Sequence, residues 1–261
     1  MNVAHESHPF RGPAVPAIGI IAGSWLVMTL LMTGTGTGAM SHDAMLAGRS
    51  LPGAGDLLIF LAAWQVMTGA MMLPSSLPLI LMFTGVSRNQ VRPRLVLTTF
   101  LAAYFAVWTG FALVALFADA GLHALVERWG WLAQRPELIT GTVLVGAGLF
   151  QFSPLKERCL DACSSPLGFL YRYYRRGLRP AWNLGVRHGL FCLGCCWALM
   201  LVMFAVGIGS LAGMAGLTGI MVIEKSFPWG RRLVPVVGVA LIAWGVAVVV
   251  APDSFPATLL A

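Results

Sequence analysis

Apolar residues run along this chain in long stretches separated by shorter polar ones. Seven runs are long enough, or nearly so, to cross a hydrocarbon core of about 30 Å as helices: residues 15–32, 57–83, 95–117, 138–152, 189–206, 211–224 and 233–250. The pattern predicts an all-α fold, a polytopic transmembrane bundle of about seven helices forming a single integral membrane domain over residues 1–261. The fourth and sixth runs are short, so tilt, a re-entrant path or different boundaries leave six or eight crossings open. The residues before the first run are polar and nearly uncharged, and that run is long enough to span, so it reads as a retained helix and not as a cleaved leader.

Composition agrees with the pattern. The chain is 58% hydrophobic and 10% charged, far below the roughly 25% charge of a soluble domain, so the lipid bilayer is its first partner. Of the 17 basic residues, fourteen fall on one side if the helices alternate: Arg11, Arg88, Arg92, Arg94, Lys156, Arg158, Arg172, Arg175, Arg176, Arg179, Arg187, Lys225, Arg231 and Arg232. Arg49, Arg128 and Arg135 fall on the other. This bias predicts a bacterial inner-membrane protein with a cytoplasmic N-terminus and an exported C-terminus. The net charge of +7 then reflects topology and anionic headgroups, and a nucleic-acid partner is not needed to explain it.

Two loops stand out. Residues 34–56 form a flexible, glycine-rich exported loop bearing Met40, His42, Asp43 and Met45. It reads either as a copper-capturing segment or as a polar linker that happens to hold methionines. The cytoplasmic loop 153–188 holds GFLYRYYRRG, whose mixed tyrosines and arginines suit headgroup depth. Ahead of it CLDAC places Cys159 and Cys163 four apart, on one face if the piece between Pro154 and Pro166 is a helix of about three turns.

The chemistry concentrates in RHGLFCLGCCWALM. On a helix His188, Cys192 and Cys195 share a stripe with Cys196 beside it, and Gly189 and Gly194 permit close approach of a neighbour. Packing, disulfides, thiol redox chemistry and metal binding all compete for these residues. All five thiols lie toward the reducing face in odd number, which disfavours disulfides. Three cysteines within five residues, with two more nearby, exceed what packing needs. For a metal, a zinc site could be completed by His188, Cys159 and Cys163, but four thiolates leave it at net −2. Copper(I) with two thiolates carries only −1, which suits a buried site better. Helix two supplies thioethers, with Met67 and Met71 on one face, Met72 beside them and Met82 further on, and Pro74 and Pro78 just beyond Met72. Alternating topology puts Met71, Met72 and the helix-five thiols at the same depth.

Other chemistry is thin. Asp56 lies at a helix end, and Glu224 with Lys225 reads as an interfacial pair. No midplane carboxylate marks a proton path, and GTGTG lacks the context of a phosphate loop. Ser75 and Ser76 have no intramembrane histidine to activate them, and His123 beside Asp119 reads as a surface pair.

MMLPSSLPLILMF, SPLKERCLDACSSPLGFL and GVRHGLFCLGCCWALMLVMFAVG are similar in order and spacing to the bacterial membrane family "domain of unknown function 2182" (DUF2182), whose members are often labelled predicted metal-binding integral membrane proteins. The resemblance runs from about Asp56 to the last helix. It implies a small helical membrane protein with a metal site formed by Met71, Met72, Cys159, Cys163, His188, Cys192, Cys195 and Cys196. The resulting expectation is a binder of copper(I), or of another soft ion with zinc as the alternative, held between helices two and five. Its role would be to buffer, transfer or insert the ion, with a metallochaperone or another membrane protein as partner. A membrane thiol oxidoreductase using Cys192 and Cys195, and a structural or assembly subunit of a membrane complex, are the rival readings.

Overall fold

The computed structural model describes residues 15–34, 53–206 and 211–252. Met40, His42, Asp43 and Met45, and the side chain of His123, lie outside the described residues. Among the described residues the fold is all-α, without strands. The helices are α1 (Val15–Gly34), α2 (Ala54–Ser87), α3 (Pro93–Arg128), α4 (Gly130–Ala133), α5 (Pro136–Phe150), α6 (Pro154–Ser164), α7 (Pro166–Tyr173), α8 (Leu178–Val206), α9 (Leu211–Ser226) and α10 (Leu233–Val250). A 3₁₀ turn, Gly230–Arg232, precedes α10.

Helices stand at all seven expected positions. Five helical segments are long and apolar enough to cross a membrane: α1, α2, α3, α8 and α10, the last with its 3₁₀ turn. A sixth crossing counts α5 and α6 as one span, bent by 63° at residues 151–153. The short fourth run is thus the first arm of a broken helix. The sixth run, α9, is 16 residues long, about 24 Å at 1.5 Å per residue, and falls short of the core thickness. Large side chains facing outward, such as Leu26, Leu58, Val114, Val236 and Val250, are what a lipid-facing surface requires and what a soluble protein would hide.

Proline sets several starts. Pro93, Pro136, Pro154 and Pro166 each open a helix, where the missing N–H costs nothing and the ring presets φ. Ser153 caps α6 by accepting from the Lys156 amide at 3.1 Å. The piece between Pro154 and Pro166 is the expected helix of three turns, with Cys159 and Cys163 on its buried face.

One sequence expectation needs correction. Helix five begins at Leu178 and not near residue 189, so Arg187 and His188 belong to the helix and not to the 153–188 loop. The prolines of α2 bear on how it packs. Pro74 removes the amide that would have bonded the Ala70 carbonyl, and the Trp25 indole of α1 donates to that carbonyl at 2.9 Å. This freed group ties α1 to α2 and does not line a site.

Close backbone approach builds the rest. At Gly185 an added Cβ would strike the Phe100 carbonyl oxygen, so α3 and α8 meet main chain to main chain. Gly148 faces the Gly238 carbonyl oxygen, 2.7 Å from where a Cβ would sit, which seats α5 on α10. The segment after α7 turns through Gly177 at φ +112°, a conformation only glycine adopts cheaply. Its amide donates to Gln90 Oε1 at 2.9 Å, and Tyr174 donates to the Val86 carbonyl at 3.1 Å. The tyrosine and arginine segment is therefore pinned to the end of α2, with Tyr171, Arg172, Arg175 and Arg176 facing outward.

Candidate metal centre

Helix α8 carries His188, Cys192, Cys195 and Cys196, all at most 2% exposed. Gly194 lets α6 pack flush against it: a Cβ there would lie 2.5 Å from Cys159 Sγ. That packing brings Cys163 to the cluster. Cys195 Sγ lies 3.9 Å from Cys163 Sγ and 3.5 Å from Cys196 Sγ. Cys195 also donates to the Cys192 carbonyl at 3.2 Å, so Cys163, Cys195 and Cys196 meet sulfur to sulfur across α6 and α8, with Cys192 one helical turn before Cys196. All five cysteines are free thiols.

Cys192 is held by residues the sequence reading did not assign to the site. Tyr104 of α3 places its hydroxyl 3.1 Å from Cys192 Sγ and 3.3 Å from the Ser76 hydroxyl. Lys225 of α9 donates to Cys192 Sγ at 3.2 Å and to Ser75 Oγ at 3.0 Å. Ser75 donates onward to the Met72 carbonyl at 2.9 Å. The interfacial Glu224–Lys225 pair is thus a misreading. Glu224 turns to Lys156 of α6, at 2.8 Å, and both are almost fully buried. Adjacent residues on a helix point about 100° apart, so neighbours in sequence face different helices here. One signal was available: the chain has only two lysines, Lys156 and Lys225, among 17 basic residues. Tyr104 is likewise the one tyrosine outside the YRYY segment.

Not every expected ligand joins the sulfurs. His188 stacks on Tyr104 at 5.5 Å and on Phe100 at 6.1 Å, with Phe169 edge-on at 5.7 Å. Neither ring nitrogen has a hydrogen-bond partner. Met71 and Met72 are fully buried in α2, and α2 reaches the thiols through Ser75, Ser76, Lys225 and Tyr104. Cys159 sits against Gly194, one helical turn before Cys163.

Among the described residues no group of three or more His, Cys, Asp or Glu side chains is set as a ready-made metal site. The sulfurs are engaged in hydrogen bonds with one another, Tyr104 and Lys225. Their chemistry nonetheless suits a soft ion: thiols, a nearby imidazole, no carboxylate and no water-facing side chain. At a metal–sulfur distance of about 2.3 Å, two sulfurs on one tetrahedral ion stand roughly 3.8 Å apart. The spacings of 3.5 and 3.9 Å bracket that value.

No curated protein and no solved structure matches the chain. A family model does match, that of the PpoB2 copper chaperones, over residues 61–248. The match runs from α2 to α10 and takes in every thiol, His188, Tyr104, Ser75, Met71, Met72 and Lys225. The chain belongs to the PpoB2 copper chaperone family.

Proposed function

We propose that this protein carries Cu(I) as cargo on the thiols of α6 and α8, buffering it in the membrane and passing it to another protein. The carrying observation is the group of four buried cysteines, Cys163, Cys195, Cys196 and Cys192, gathered across α6 and α8. The family's printed description as copper chaperones supports the choice of ion. Thiolates favour Cu(I), and two of them leave a single negative charge to be balanced, against two for a four-thiolate zinc centre.

In this reading Cys192, Cys195 and Cys196 are the principal donors, and Cys163 closes the set from α6. Cys159, one turn away, is the reserve thiol. His188 earns inclusion through its two unclaimed ring nitrogens, one helical turn from Cys192, because buried polar atoms are normally paired. Met71 and Met72 add thioethers from α2. The motifs that resemble DUF2182 all lie within residues 61–248. The exposed arginines of 172–179 suit a cytoplasmic copper donor or acidic headgroups. Burial among apolar helices excludes water and slows oxidation of both thiol and copper.

The test is copper content and a thiol count on detergent-purified protein, wild type against the Cys192→Ser, Cys195→Ser double variant. Serine hydroxyls are poor ligands for a soft ion, so the double variant should lose most of its copper while remaining folded. Copper content unchanged by the double substitution would sink the reading. Reversible thiol oxidation in metal-free protein would favour the oxidoreductase instead.

A further inference from the structure

We propose that Lys225 is the counter-charge of the thiol site, its ammonium offsetting the single negative charge of a bound Cu(I) dithiolate. The proposal rests on the Cu(I) reading above and deepens it.

Lys225 is 6% exposed and lies on α9, facing the junction of α2, α3 and α8. It has two hydrogen-bond acceptors, Ser75 Oγ and Cys192 Sγ. Among the described residues no carboxylate pairs with it, since the adjacent Glu224 is committed to Lys156. The two lysines of the chain are therefore treated differently. Lys156 is neutralised by a salt bridge, whereas Lys225 has the Ser75 hydroxyl and the Cys192 thiol as its acceptors.

An isolated ammonium in an apolar interior is expensive unless something opposite offsets it. The groups beside it that can become anionic are the Cys192 thiol, to which it donates, and the Tyr104 phenol on the same sulfur; of these the thiol is the one a soft metal ion deprotonates on binding. When Cu⁺ displaces the protons of two thiols, the products are a bis-thiolate copper centre of charge −1 and two protons released to solvent. The ammonium keeps its own proton. The centre and Lys225 then sum to zero. The geometry adds direction: the ammonium sits at Cys192, so the thiolate it favours most is that of Cys192.

The experiment titrates full-length protein in detergent with Cu(I) under a competing chelator, and with zinc separately. The variants are Lys225→Gln, Lys225→Arg and the Cys192→Ser, Cys195→Ser control. Glutamine can still donate to Ser75 and Cys192 but carries no charge. Its Cu(I) affinity should fall by roughly ten- to a hundredfold, the scale of losing a charge-assisted contact, and any zinc affinity of the thiols should fall with it, because a positive charge stabilises a more negative thiolate centre at least as strongly. Arginine should restore most of the loss.

The melting temperature of metal-free Lys225→Gln should hold or rise, because an uncompensated buried charge has been removed. A lysine with a purely structural role would give the opposite. Wild-type Cu(I) affinity in Lys225→Gln overturns the proposal and leaves the copper reading intact. Should Lys225→Gln not fold, Lys225→Met carries the same test; failure of both neutral variants beside a folded Lys225→Arg assigns the residue to structure and also overturns it. If wild-type protein binds no more Cu(I) than the serine control, the copper reading itself fails.

Discussion

At the scale of single residues, polar groups buried against α8 decide what the thiols face. Cys192 is held between the Tyr104 hydroxyl and the Lys225 ammonium, while Cys195 donates to the Cys192 carbonyl at 3.2 Å. Met71 and Met72 are packed without exposure one turn from Ser75, close enough in the fold to back this site. Replacing both with leucine conserves volume, and swaps of that kind usually cost under about 1.5 kcal/mol. The Met71→Leu, Met72→Leu variant should therefore fold normally, bind Cu(I) severalfold more weakly in a chelator competition, and leave zinc affinity unchanged, since a thioether is not a usual zinc ligand. Equal Cu(I) affinity would make these methionines packing alone.

At the scale of elements, the site depends on how closely helices can approach. Cys163 reaches Cys195 only because Gly194 admits α6, and Tyr104 reaches Cys192 only because Gly185 lets α3 lie on α8 at backbone distance. Gly185→Val would push Val side-chain atoms into the Phe100 carbonyl and the Ala103 methyl. Overpacking of this type costs about 1–3 kcal/mol, so the variant should melt at a visibly lower temperature in detergent. It should also lose copper affinity, because Tyr104 and Phe100 are displaced together. A variant with wild-type melting and copper binding would show that the α3–α8 contact is looser than the structure has it. Legibility in the sequence followed the same division. The stripe of His188, Cys192, Cys195 and Cys196 and the shared face of CLDAC follow from helical period alone, and the structure buries both. The partner of each face depends on packing between helices far apart in the chain, which no period encodes.

For the whole molecule, arginine distribution and helix count make a prediction that packing does not touch. Fourteen of 17 basic residues fall on one side of an alternating bundle, so a reporter active only after export should be active when fused after Ala261, and a cytoplasm-dependent reporter should be silent there. The reverse result would mean an even number of crossings, with the bent α5–α6 pair or the 16-residue α9 failing to span. The thiols would keep their depth relative to α2 in either case, because Lys225 and Tyr104 link the two.

Sequence alone determined the helical class, the apolar runs long enough to cross a membrane, the approximate place of every long helix and which cysteines share a helical face. These follow from local quantities: the length of an apolar run, the charge of a loop, the spacing of residues along one helix. Tertiary structure decided which donors meet and what charge accompanies them. It brought Cys163 to Cys195, set His188 among aromatic rings, gave the Ala70 carbonyl to Trp25, and separated Glu224 from Lys225 so that one neutralises Lys156 and the other faces Cys192. Successive side chains on a helix diverge by about 100°, and which neighbour each then meets is settled by the close packing of α3, α6 and α9 around α8.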